Sequence, residues 1–167
     1  QLEQSLAAAN TALSYAKEGG SITILNPAPA QPLGENILNL CDFVTPNEIE
    51  AEQITGIPVK SVSDAEVAAD KLLEKGASAA VITLGEQGAL FKDSKQIIHQ
   101  PSFQVGPIVE TTGAGDAFNG GLAVALAEEM PIDKALRFAC ATASISVTRP
   151  GTAPSMPDRN EIDTLLT

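Results

Sequence analysis

The 167-residue chain is predicted to fold as an α/β layered sheet, on two observations. Short β-type runs alternate with stretches of helical periodicity along most of its length. One of those runs, Ala79 to Leu84, is apolar almost without a break, as a strand covered on both faces must be. A hydrophobic content of 44% supports a packed core, and the length suits a single domain over 1–167.

The elements follow in order. Leu6, Ala9, Leu13 and Ala16 recur at helical spacing, and Gly19-Gly20 supplies the stop. Ser21 to Leu25 is a short strand that must end at Asn26-Pro27-Ala28-Pro29-Ala30, because proline cannot continue a ladder. A helix over Leu33 to Leu40, a strand at Asp42 to Thr45 and a helix over Glu48 to Thr55, stopped by Gly56, come next. Ser63-Asp64-Ala65-Glu66 reads as a capping box opening a helix to Lys75. After the apolar strand, Gly88 to Phe91, Gln96 to His99 and Val105 to Val109 read as shorter strands. Two helices near Gly115 to Glu129 and Pro131 to Val147 complete the pattern, with Pro131 suited to a first turn.

Charge and composition exclude several function classes. A net charge of −11 repels nucleic-acid phosphates, and no apolar run approaches a membrane span, so neither is an expected partner. Cys41 and Cys140 lie far apart and outside any metal-ligand spacing, so reduced thiols in a cytoplasmic protein are expected. His99, the single histidine, sits in a strand-like run and is expected to be structural.

The most informative stretch is Thr111-Thr112-Gly113-Ala114-Gly115-Asp116-Ala117-Phe118, a glycine-rich turn running into an alanine-rich helix. A helix start leaves about four N–H groups unpaired and carries roughly half a positive charge, so it favours phosphate. Gly113 and Gly115 remove side chains that would keep an anion from those amides. On the residues alone the string reads either as a tight turn whose Asp116 merely favours the helix dipole, or as an anion site in which Asp116, otherwise repelled by bound phosphate, takes the proton of an attacking hydroxyl. No Walker-type loop is present elsewhere.

Thr45-Pro46-Asn47-Glu48-Ile49-Glu50 closes a strand and opens a helix. Asn47 and Glu50 share a helical face, so on the residues alone they read either as an N-cap with a first-turn charge or as a pair able to hold Mg²⁺, directly or through its waters. Thr83-Leu84-Gly85-Glu86-Gln87-Gly88 follows the apolar strand, and reads either as a hairpin loop or as a ligand loop beyond a strand's C-terminal end.

The string Thr111 to Gly121 resembles the C-terminal signature of the ribokinase-like sugar kinases. The likeness extends through Asn26 to Ala30, Thr45 to Glu48, Ile82 to Gly85 and Ser146-Val147-Thr148-Arg149 with its Gly151-Thr152-Ala153-Pro154-Ser155 extension. It implies a three-layer α/β/α sheet and ATP-dependent phosphorylation of D-ribose at its 5-hydroxyl. Fructose, a nucleoside or a ketodeoxy sugar acid as acceptor, or a non-catalytic nucleotide-binding module, are the alternatives. The resemblance also implies Asp116 as base, an anion hole at Gly113, Ala114 and Gly115, and Mg²⁺ organised near Asn47 and Glu50. ATP would be lined by Asn47, by Thr83, Leu84, Gly85, Glu86, Gln87 and Gly88, by Gly115 and Asp116, and by Cys140, which by register from Asp116 falls near the adenine or is a small core thiol. A monovalent cation, K⁺, is implied at Glu110, Thr112, Ser146, Arg149, Gly151 and Ser155, several through backbone oxygens; Glu110 replaces the family's more usual Asp. Glu3 is either a sugar contact or a solvated charge at a helix start. Aligned this way, Gln1 falls mid-way along the family's chains. The sheet is therefore expected to be incomplete, lacking an N-terminal half that carries most sugar contacts and a lid through which homodimers form.

Overall fold

A computed structural model describes residues 1–33 and 36–167 of the chain. Among the described residues six α-helices and five strands form: α1 (Leu6–Glu18), β1 (Ile24–Leu25), β2 (Phe43–Val44), α2 (Glu48–Thr55), α3 (Val62–Glu74), β3 (Ala79–Thr83), β4 (Ala89–Asp93), β5 (Ile97–Gln100), α4 (Ala114–Ala127), α5 (Ile132–Ser146) and α6 (Arg159–Leu166). The strands form one sheet in the order β1-β2-β3-β4-β5. β1 runs parallel to β2 with Ile24 opposite Phe43, and β2 runs parallel to β3 with Phe43 opposite Ala79. The chain divides into two compact units, residues 1–84 with 90–99 and residues 85–89 with 100–167.

The first unit holds α1 to α3 and nearly all of the sheet. Its core gathers Leu25, Val44, Leu72, Ala80, Ile82 and Leu90, so both faces of β3 are covered, as its uninterrupted apolar run requires. α2 begins and ends at the expected residues, with Asn47 as N-cap and Gly56 in the left-handed conformation. β1 is shorter than expected. The amide of Ser21 closes the end of α1 on the Ala16 carbonyl, and that of Thr23 donates to Asp42 Oδ2 at 2.9 Å, so neither is available to the ladder. Of the helix expected over 33–40, only a 3₁₀ turn at Ile37–Leu40 forms, and positions 34 and 35 lie outside the described residues. α3 is capped two residues earlier than expected. Ser61 Oγ, not Ser63, accepts from the Asp64 amide, while Asp64 accepts from Ser61 Oγ and the Lys60 amide. Those bonds hold the Asp64 carboxyl below its ordinary range.

The second unit holds α4 to α6. α4 and α5 bury Phe118, Leu122 and Ala125 with Leu136, Ala139 and Ile145. They approach so closely that a Cβ on Gly121 would sit 3.0 Å from Ala139 Cα. Two expectations change here. Val105 to Val109 form no strand: Val109 and Glu110 both turn their amides to the Val147 carbonyl, at 2.8 and 3.2 Å, and Pro107 removes a donor from the middle. α6, which the sequence reading missed, opens on a capping box between Asp158 and Glu161 directly after Pro157.

Candidate nucleotide and phosphoryl-transfer site

In the first unit, the C-terminal ends of the parallel strands bring three polar segments together. Asn26 Nδ2, just past β1, donates to the Thr45 carbonyl at 2.9 Å. The Thr83 amide at the end of β3 donates to the Pro46 carbonyl at 3.0 Å, and Asn47 forms an isolated parallel bridge with Thr83. A sheet of this class binds ligands in the crevice beyond such strand ends. Glu3 is exposed beside this edge, since the neighbouring Leu2 amide donates to Ala28 O at 2.7 Å.

Asn47 and Glu50 form a complete capping box. Asn47 Oδ1 accepts from the Glu50 amide, and Glu50 Oε2 accepts from the Asn47 amide, each at 2.9 Å. Glu50 is only 6% exposed, and burial pushes its carboxyl up, against the opposing pull of the Asn47 bond. The box spends Oδ1 and Oε2 and makes no use of Asn47 Nδ2 or Glu50 Oε1. One amide donor and one carboxylate oxygen suit a hydrated Mg²⁺ carried by a polyphosphate, which takes one or two carboxylates alongside the phosphates. Among the described residues no three His, Cys, Asp or Glu side chains gather into a cage.

In the second unit, α4 starts without a side-chain cap. Gly113 occupies the N-cap position in the left-handed conformation, φ 84°, where an added Cβ would press on Thr152 at 3.3 Å. Gly115 faces open space, and Asp116, the third residue of the helix, is exposed. The Ala114 amide donates to Thr111 O at 3.1 Å, closing the turn. This corner borders a cleft of about 310 Å³. Its walls are Gly85 and Glu86, the segment 102–106 with Ile108, the turn at Thr111 and Ala114, and Ala143, Ser144 and Val147 on α5. Gly88, at φ 91°, lets the 85–88 turn lie against the Gln100 carbonyl, where a Cβ would overlap. Cys140 is 4% exposed, its thiol pushed up to about 12 by burial, and its Sγ points to Gln100 O at 3.9 Å. It lies in the core one turn before Ala143, which lines the cleft.

The segments singled out for a monovalent cation also meet within this unit. Glu110 Oε2 accepts from the Gly151 amide at 2.7 Å, and the Ser146 carbonyl accepts from the Arg149 amide at 3.3 Å. Ser155 is buried, with Oγ on Thr152 O at 2.7 Å, and Thr112 is exposed on the turn itself. The Arg149 guanidinium is engaged by Glu161, which holds that carboxyl below its ordinary range, so Arg149 has only its carbonyl to offer. A carboxylate with carbonyl and hydroxyl oxygens is a donor set for a hard cation.

The pfkB family carbohydrate kinase pattern matches residues 1–159. The chain belongs to this family. Ribokinase of Haemophilus influenzae is 44% identical over 163 residues, covering 96% of this chain and 52% of the relative. Deoxyribokinase of Salmonella typhi is 38% identical over 167 residues, 99% of this chain and 54% of the relative. The chain spans about half the length of the curated relatives it matches. Among solved structures, Arabidopsis thaliana ribokinase complexed with ribose and ATP superimposes with a TM-score of 0.93 at 31% identity, over 97% of this chain and 53% of that one. Thermotoga maritima ribokinase gives 0.83 at 40% identity, over 93% and 52%. These likenesses show the ribokinase-like α/β fold.

Gly85, Glu86 and Ala114, singled out from the sequence, line the cleft together with residues that were not. Ser102-Phe103-Gln104-Val105-Gly106 and Ala143-Ser144 carry no motif that singles them out, and Val147 stood out only within the Ser146–Arg149 segment. The strand expected at Val105 to Val109 hid what the structure shows, thirteen residues, 101–113, without regular structure.

Proposed function

We propose that residues 1–167 act as the nucleotide-binding portion of an ATP-dependent kinase that phosphorylates D-ribose at its 5-hydroxyl. The observation that carries this reading is the start of α4, uncapped, glycine-lined and bearing an exposed carboxylate on its first turn. Asp116 accepts the proton of the sugar hydroxyl as that oxygen attacks the terminal phosphorus. The amides of Gly113 and Gly115 stabilise charge on the transferred group, and Ala114 joins them when its 3.1 Å turn bond to Thr111 is exchanged for a phosphoryl oxygen. The triphosphate lies along this turn with its base in the cleft between the 85–88 turn and α5. Asn47 and Glu50 would help hold the Mg²⁺ that accompanies the nucleotide, and the ion would supply charge neutralisation. Glu110 and the carbonyls near Gly151 would hold K⁺, which would add positive charge beside the α4 start. Glu3 would serve as a sugar contact. A reducing, cytoplasmic compartment accords with two free thiols.

A second reading, 2-deoxyribose as acceptor, is favoured by the 38% identity to a deoxyribokinase. Calorimetry with Mg-ATP, followed by rates of ADP release with ribose, 2-deoxyribose, fructose and adenosine, tests both. Saturable ATP binding with the highest kcat/KM on ribose is expected. Highest efficiency on deoxyribose selects the second reading, and absence of Mg-ATP binding discards the nucleotide site altogether.

A further inference from the structure

Resting on that nucleotide reading, we infer that Ser144 and Ser102 are positioning residues for the base, fastening one wall of the cleft in place. The segment 101–113 has no regular backbone pairing, so its shape is set by a few bonds. At its start, Ser102 Oγ donates to Glu86 O at 2.6 Å and the Phe103 amide donates to Ser144 Oγ at 3.1 Å. At its end, Val109 and Glu110 donate to Val147 O. Between these anchors, Val105 and Ile108 line the cleft while 40% and 52% exposed, an apolar surface that lacks cover until a flat apolar ligand enters.

The start anchor decides where that surface stands. Ser102 ties it to the 85–88 turn and Ser144 ties it to α5, so the two serines fix the separation of the walls between which a purine would slide. Ser144 is 9% exposed and its bond to the half-buried Phe103 amide is partly shielded from water, so removing the hydroxyl loosens this anchor. The Arg137 guanidinium, 5.0 Å from the centre of the Phe103 ring, steadies the same residue from its other side. The triphosphate moiety, held at the α4 start, should not sense either serine.

That separation supplies the test. Calorimetry on the chain with Mg-ATP and with inorganic tripolyphosphate, which has no base, is expected to show S144A weakening ATP by about three- to tenfold, the worth of one hydrogen bond, with tripolyphosphate unchanged. S102A, at a half-buried position, is expected to follow the same pattern and serves if S144A fails to fold by circular dichroism. Unchanged ATP affinity in both variants overturns the inference. So does equal weakening for ATP and tripolyphosphate, which would mark a general loss of structure. Wild-type protein that binds tripolyphosphate but gains nothing from the nucleoside removes the base cleft, whereas wild-type protein that binds neither removes the nucleotide reading with it.

Discussion

α2 and α4 begin in the same way and end up chemically opposite. Each carries a carboxylate at its third residue, Glu50 in one and Asp116 in the other. At α2 the N-cap is Asn47, and two reciprocal bonds of 2.9 Å close the end while Glu50 is buried. At α4 the N-cap is Gly113, no side chain caps the end, and Asp116 stays exposed. A cap is worth about 1 kcal/mol, so a helix that forgoes one gives up stability and keeps its amides and dipole for a ligand. The difference separates a helix start closed by its own side chains from one whose carboxylate and dipole face solvent.

The largest effect should come from the exposed carboxylate. Asp116→Asn in the intact protein is expected to lower turnover roughly 10²- to 10⁴-fold, the range for a general base, with Mg-ATP affinity nearly unchanged. Near-normal turnover would return Asp116 to the role of a helix-dipole charge and erase its distinction from Glu50. Next is the turn itself. Gly113→Val forces a branched side chain into φ 84° against Thr152, and is expected to weaken tripolyphosphate binding at least tenfold, which calorimetry would detect. Retained affinity would mean that the α4 amides are not the anion site.

The capped start should respond in stability instead. Asn47→Ala is expected to cost about 1 kcal/mol in urea unfolding, because it opens one half of the box. Glu50→Gln sharpens the contrast through pH. Burial raises the folded carboxyl above its unfolded value, so the stability contributed by the protonated form is complete below the unfolded value and is lost as pH rises through the raised one. Glutamine can still accept from Asn47 without a charge, so its advantage over wild type should grow from pH 4 to pH 8. Wild type gaining on the variant over that range would show the carboxylate to be favourably placed rather than penalised. The smallest effect concerns both units equally. Cys41 and Cys140, each pushed up to about 12 by burial, should resist thiol reagents at pH 8 until urea unfolds the chain.

What was legible followed the range of the interactions involved. α2 could be read to the residue because its start and stop chemistry are local, an Asn N-cap and a left-handed Gly56. The Ser61 cap of α3 was displaced by two residues because two overlapping Ser-to-acid patterns compete, and Asp64 satisfies the earlier one. β1 was overestimated because its amides go to Ala16 and Asp42, which propensity does not register. α6 was overlooked although Asp158 and Glu161 carry the same box signal that Asn47 and Glu50 do. In the site, the contiguous Gly113–Asp116 turn was visible at once, whereas the link between Phe103 and Ser144 joins positions 41 residues apart.

The chain's own order of residues therefore set which groups α4's first turn presents, because a glycine N-cap, neighbouring amides and a third-position carboxylate all lie within four residues of backbone. Folding alone decided what stands around that turn. The walls of the cleft, the burial of Cys140 and the Glu110 contact with Gly151 depend on distant segments meeting, and such meetings are chosen by packing of the whole core rather than by any local preference.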